Sequence, residues 1–207
     1  MSQPAYWAQA SAELAARDPV MAGFVTEYAG MGLVQKGDPF ATLCRAIVSQ
    51  QISVKAADAI WARFDAAVSG IAPNALIAAD VETLRAAGLS RAKIVYLQDL
   101  SQRALDGRFS PGHWLELDDA AVMAELTAVK GIGRWTAEMY LIFSLQRPDI
   151  LPVDDIGLQK AIALHYLGGE RPTAKAIHAL ADKHWRPWCT VATWYLWRSL
   201  DPVAVAY

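Results

Sequence analysis

Apolar residues recur along this chain at intervals of three and four, the spacing that lays them on one face of an α-helix. Phe40, Leu43, Cys44, Ile47 and Val48 form one such stripe. Val54, Ala57, Trp61, Phe64 and Val68 form the next, opened by Ser53 as an N-cap. Asp80 is placed to cap the helix of VETLRAA, and Gly88 sits where a left-handed residue ends it. Ser90 opens RAKIVYLQDLSQRAL, and Asp118 or Asp119 opens AAVMAELTAV. TAEMYLIFSL is apolar almost all round and predicts a central helix packed on every side. LPVDD breaks the pattern, after which IGLQKAIALHYL, AKAIHALADKHW behind Thr173, and CTVATWYLWRSL read as further helices. Only DILPV has strand character, and it is too short to build a sheet. The joints GDPF, DGRFSPGHW and GGERPT are short. The pattern therefore predicts an all-α protein, one compact unit over residues 1–207 with two helical lobes and a cleft between them. Residues 38–150 make one lobe, with a hairpin at 127–135, and residues 1–37 with 156–207 make the other.

Composition sharpens this only in part. Of the 207 residues 54% are hydrophobic and 19% charged, below the roughly 25% charged of ordinary domains, which favours a thick core. No apolar run is long enough to span a membrane. The opening MSQPAYWAQA lacks the basic end and apolar middle of a signal peptide. A soluble cytoplasmic protein, monomeric and without membrane partners, is the expectation. Two cysteines are too few for a disulfide framework, and Cys44 in its apolar stripe reads as buried filler. His113, His165, His178 and His184 show no metal-ligand spacing, so no metal site is expected from them. The net charge of −2 argues against a protein that coats nucleic acid by bulk positive charge, but permits a local basic face.

The stretch VKGIGRW, Val129 to Trp135, holds two glycines one residue apart before the most apolar helix. Glycine is required where the backbone turns through positive φ or where something approaches it closely. A dinucleotide-binding fingerprint needs a third glycine and a preceding strand, and both are missing. Two readings remain: a tight connection between packed helices, or a helix–hairpin–helix element. In the latter, backbone amides at Gly131 and Gly133 hold a phosphate at the positive end of the following helix. Thr136, and less directly Arg134, could add side-chain contacts.

What surrounds the hairpin narrows the choice. AIVSQQISVKAADAIWARF, GLSRAKIVYLQDLS, GIGRWTAEMYLIFSL and LPVDDIGLQKAI occur in that order. Over roughly residues 38–200 the chain resembles the helix–hairpin–helix DNA glycosylases that carry a Gly/Pro-rich loop and a catalytic aspartate. Within them it is most similar to the branch of 3-methyladenine DNA glycosylase II. The extra N-terminal β-rich domain of some members has no room here. The four-cysteine iron–sulfur loop of other relatives is also absent.

The resemblance implies a set of roles. Asp155 fits the phase of the family's catalytic aspartate, with Asp154 as the alternative; either could also be a plain helix cap. Trp135 stands where bifunctional relatives place a Schiff-base lysine, so hydrolysis without strand cleavage is implied. Gln51, with Ile52 as the alternative, would fill the gap left when the target base leaves the stack. Eight tryptophans, four of them between Trp185 and Trp197, could serve packing, but an electron-rich ring also attracts a cationic alkylated purine. Trp135 and Trp197 match the pocket-lining positions. The carbonyls of Thr127, Val129 and Ile132 are candidates for holding a monovalent cation. The expected activity is removal of 3-methyladenine and 7-methylguanine type bases from double-stranded DNA, leaving an abasic site for base excision repair. A glycosylase for deaminated or oxidised purines, and a non-catalytic DNA-binding module, are the competing readings.

Overall fold

The computed structural model describes residues 3–35, 37–109 and 111–200. Ser110 in the joint DGRFSPGHW, and residues 1, 2, 36 and 201–207 of the expected lobes, lie outside that range. Among the described residues thirteen α-helices follow one another. They are α1 Trp7–Arg17, α2 Pro19–Glu27, α3 Pro39–Ser49, α4 Val54–Val68, α5 Pro73–Ala78, α6 Val81–Ala86 and α7 Arg91–Leu105. Then come α8 Pro111–Leu115, α9 Asp119–Thr127, α10 Arg134–Phe143, α11 Ile156–Tyr166, α12 Ala174–Leu180 and α13 Cys189–Leu200. A π-helical turn, Ala181–Trp185, continues α12. No strand forms among the described residues; DILPV is an irregular segment with Ile150, Leu151 and Val153 buried. Among the described residues no helix is long and apolar enough to cross a membrane.

Side-chain caps set most helix starts. The oxygens of Ser53, Asp80, Ser90, Asp118 and Thr173 each accept an amide of the first turn that follows, the bond an orphan N–H needs. Asp118 is thus the cap of α9, and Asp119 is its first helical residue. Gly88 follows α6 at φ +102°, in the left-handed region. Leu43, Cys44, Ile47 and Val48 line the buried face of α3, as do Ala57, Phe64 and Val68 for α4. The predicted stripes are too wide, however. Val54 is 78% exposed, because it opens the first turn of α4, and Phe40 and Trp61 are only half-buried. Periodicity alone also missed α1, α2 and α5, and it missed α8 inside a stretch read as a joint.

The chain forms two compact units, Gly37–Tyr140 and Met1–Lys36 with Leu141–Tyr207, and the boundary falls inside α10. In the central unit α3 packs on α4 and α7, and α7 also packs on α5 and α6. Phe64, Leu84, Leu97, Trp114 and Leu126 are sealed in its core. In the terminal unit α13 packs on α1, α2 and α11. A buried carboxylate organises part of it: Asp18 caps α2 through the Val20 amide at 2.9 Å. Its second oxygen accepts the Tyr166 hydroxyl at 2.6 Å and the Trp185 indole N–H at 3.2 Å. With the Met21 amide, which also donates to the first oxygen at 3.4 Å, four donors on one carboxylate offset the cost of taking it out of water. Burial pushes the Tyr166 hydroxyl and the thiols of Cys44 and Cys189 well above their ordinary pKa values, and both thiols are free.

Candidate functional site

The hairpin lies in the central unit between α9 and α10. Val129 and Ile132 are buried and act as apolar feet on either side of Gly131, while Lys130 and Gly133 face out. The Ile132 amide donates to Val129 O at 3.1 Å and closes the turn. The helix α7 braces it from one side. Asp99 accepts the Lys130 amide at 3.0 Å and the Arg103 Nε at 3.2 Å, and Arg103 donates on to Ala128 O at 2.9 Å. Gln50, just past α3, donates to Gly131 O at 2.8 Å.

The two glycines differ, which their identical letters did not reveal. Gly131 has φ +83°, and a Cβ there would stand 2.2 Å from a ring carbon of Tyr96. What approaches this glycine closely is a neighbouring aromatic ring. Gly133 is outside the positive-φ region, and a Cβ on it would meet nothing within 4 Å. The turn constraint therefore belongs to Gly131 alone. Gly133 is instead the N-cap of α10, its carbonyl accepting the Ala137 amide at 3.0 Å. Having no side chain, it covers none of the first-turn amides. Neither the Gly131 nor the Gly133 amide bonds to another described residue.

Near this helix start Arg134 is exposed and ion-pairs through Nε with the buried Glu138 at 2.8 Å. Trp135 is 41% exposed and Thr136 half-buried. From Ala137 to Ile142 six successive residues are buried, the all-round packing expected of this helix, although it ends at Phe143 rather than Leu145. Gln51 and Ile52 are exposed in the loop between α3 and α4, and Gln51 adopts φ +60°, a left-handed conformation unusual for a residue with a side chain. Of the carbonyls proposed for a cation, Val129 O already accepts the Ile132 amide. A second lone pair leaves that set feasible but not distinctive.

The aspartates lie in the terminal unit. Asp154 is exposed in the turn, whereas Asp155 is 7% exposed and caps α11. Its Oδ1 accepts the Leu158 amide at 2.6 Å and the Trp197 indole N–H at 2.7 Å. The backbone of Asp155 is fixed in turn by its amide bond to Pro152 O, 3.0 Å, and Gln159 pins Val153 O at 3.0 Å. Trp197 is buried and stacks on Phe143, with ring centroids 5.7 Å apart and planes within 12°. Gly157 makes the pairing possible. A Cβ at that position would crowd Asp155 Oδ1 and the Trp197 ring at 3.1 Å each. The structure thus brings Asp155 and Trp197 together, while Gly131, Gly133, Trp135, Thr136, Gln51 and Ile52 belong to the central unit. Sequence reasoning missed Gln50, Tyr96, Asp99 and Phe143. A cavity of about 570 Å³ in the terminal unit, lined by Met31, Val34, Trp194 and Arg198 among others, includes neither Asp155 nor Trp197.

Residues 44–187 match the family described as HhH-GPD superfamily base excision DNA repair protein. DNA-3-methyladenine glycosylase 1 of Schizosaccharomyces pombe is 35% identical over 170 residues, covering 80% of this chain and 74% of that protein. The crystal structure of a DNA-3-methyladenine glycosidase from Bacillus halodurans superposes with a TM-score of 0.87 at 37% identity. That match covers 100% of this chain and 96% of the other. The S. pombe 3-methyladenine DNA glycosylase Mag1 in complex with abasic DNA gives 0.76 at 32% identity, over 92% and 96% of the two chains.

Proposed function

Because the chain belongs to the HhH-GPD superfamily of base excision DNA repair proteins, we propose that it is a monofunctional DNA N-glycosylase for alkylated purines. It binds duplex DNA, turns the damaged nucleotide out of the stack, and hydrolyses the bond between C1′ and the base nitrogen. The observation that carries this reading is Asp155: a carboxylate buried at a helix start and held on Oδ1 by the Leu158 amide and the Trp197 N–H. A carboxylate so held has one orientation and needs no reorganisation when charge develops near it.

As the glycosidic bond breaks, its electron pair leaves with the base and positive charge gathers on the deoxyribose ring. An alkylated purine is already cationic, so it departs neutral. Water then adds to C1′, and its proton passes to Asp155 or to solvent. A carboxylate about 4 Å from the developing charge, at an effective dielectric near 20, supplies on the order of 4 kcal/mol. That amounts to roughly three decades in rate. Since the lesion weakens its own glycosidic bond, such modest help favours damaged over normal bases.

DNA is gripped at the hairpin. The uncovered amides of Gly131 and Gly133, at the positive end of α10, suit one backbone phosphate, with Thr136 beside them. Gln51, with Ile52 next to it, takes the space vacated by the flipped nucleotide. Trp135 supplies an exposed aromatic face for the base; it also stands where a bifunctional enzyme would need an amine, so no strand cleavage follows excision. Trp197 gives its indole N–H to Asp155 and so fixes the orientation of the carboxylate. The enzyme acts as a monomer. The assay is direct: methylated duplex DNA is incubated with the protein, released bases are separated by chromatography, and the strands are examined for nicks. Free 3-methyladenine or 7-methylguanine with intact strands is the expected result; no released base, or nicked product, overturns the reading.

A further inference from the structure

The loop that presents Gln51 is tied to the rest of the central unit in an unusual way. Lys93, in the first turn of α7, sends its Nζ to the carbonyls of Val48 at 2.7 Å and Gln50 at 2.9 Å. The last carbonyls of a helix lack intrahelical donors and carry the negative end of its dipole, so an ammonium group complements the end of α3. The location is otherwise unfavourable to Lys93. A cation in the first turn of α7 opposes that helix's own dipole, and burial lowers the pKa of the amine. A lysine directed to solvent would escape both penalties, so the two carbonyl contacts outweigh them.

Gln50 continues the chain of contacts, since its side chain donates to Gly131 O in the hairpin. On the far side of the loop, Ser53 caps α4. Between these fixed points lies Gln51 at φ +60°. A non-glycine residue stays in that region only where its surroundings dictate it.

We infer that Lys93 and Gln50 are positioning residues which lock the α3–α4 loop to the hairpin, so that Gln51 and Ile52 enter the duplex in register with the phosphate held there. The inference rests on the proposed function for its use, but the lock itself stands on geometry within one unit. Without it the hairpin would still grip the backbone, while the wedge would have to find its place by search after binding. Loss of the lock should therefore slow base extrusion rather than weaken encounter.

Two measurements on Lys93→Met and Gln50→Met test this. In the free protein, backbone ¹⁵N order parameters at residues 51–53 should fall from the rigid range, about 0.85, to below about 0.6, with α10 unaffected. In single-turnover excision at saturating enzyme, the substrates are duplexes carrying 7-methylguanine opposite cytosine or opposite an abasic site. Release opposite cytosine should fall about tenfold. Release opposite an abasic site, where no opposing base holds the lesion in the stack, should stay within about twofold. Unchanged order parameters at residues 51–53 overturn the lock, and equal slowing on both duplexes reduces these residues to general structural support. A wild-type protein that releases base from neither duplex overturns the functional reading and the use of the lock with it; the order parameters then still decide whether the lock exists.

Discussion

Two helix starts in this protein solve one physical problem in opposite ways. Every α-helix begins with amides that have no partner in the helix. At α11 the cap is Asp155, which spends an oxygen on the Leu158 amide and is itself buried against Trp197. At α10 the cap is Gly133, exposed and without a side chain, so the amides and the positive dipole end remain directed outward. The first arrangement fixes a negative charge in place; the second offers positive potential to an anion from outside. An enzyme that acts on a polyanion and stabilises a sugar cation has use for both. In the function proposed above, one helix end supplies the reacting charge and the other the grip.

The largest expected effect comes from removing the charge at the first. Asp155→Asn keeps an acceptor for the Leu158 amide, so stability should hardly change, while excision falls by about a thousandfold. Asp154→Asn serves as the control and should retain activity; the reverse pattern in base-release rates would move the chemistry to Asp154. Next is Gly131→Ala, which sets a methyl against Tyr96 and strains φ +83°. It should cost about 2 kcal/mol of unfolding free energy in denaturant titration, and the companion change Tyr96→Ala should recover part of the loss. An additive double variant would mean that the ring is not the obstacle.

Gly133→Asp converts the second helix start into a copy of the first. The new carboxylate should cap α10 and complement its dipole, raising stability by about 0.5 kcal/mol, visible as a slightly higher Tm. The same group competes with a phosphate, so affinity for duplex DNA should drop about tenfold or more. Rising stability with unaltered DNA affinity would remove the phosphate from this site. The smallest effect is that of Trp197→Phe, which keeps a ring over Phe143 but loses the bond to Asp155. Excision at saturating DNA should slow several-fold to about tenfold with little change in affinity. A drop confined to Tm would assign the indole to packing.

How much of this could be read in the sequence follows from the range of each interaction. Caps such as Ser53, Asp80, Ser90 and Thr173 bond within three residues, so their chemistry is written locally, and they were legible. The continuous apolar run of α10 announced its burial, though not the buried Glu138 within it. Helices α1 and α2 escaped notice because small alanines dilute their apolar stripe and a proline separates them. Motif phase singled out Asp155, and the chain there is local enough to show a cap. Its bond to Trp197 spans 42 residues and is a tertiary fact. The same holds for Tyr96 over Gly131, which made two glycines look equivalent when only one is required by backbone conformation. The bond from Gln50 to the hairpin, across 81 residues, was equally out of reach.

The contrast between the two helix starts reduces to one titration: single-turnover excision from a methylated duplex over a range of protein concentrations, for wild type, Asp155→Asn and Gly133→Asp. The account predicts that Asp155→Asn loses the saturating rate with half-saturation within a few-fold of wild type, and that Gly133→Asp loses half-saturation while recovering most of the rate at high protein. If both variants lose the same parameter, or if Asp155→Asn keeps its rate, the division of labour between these two helix ends is wrong.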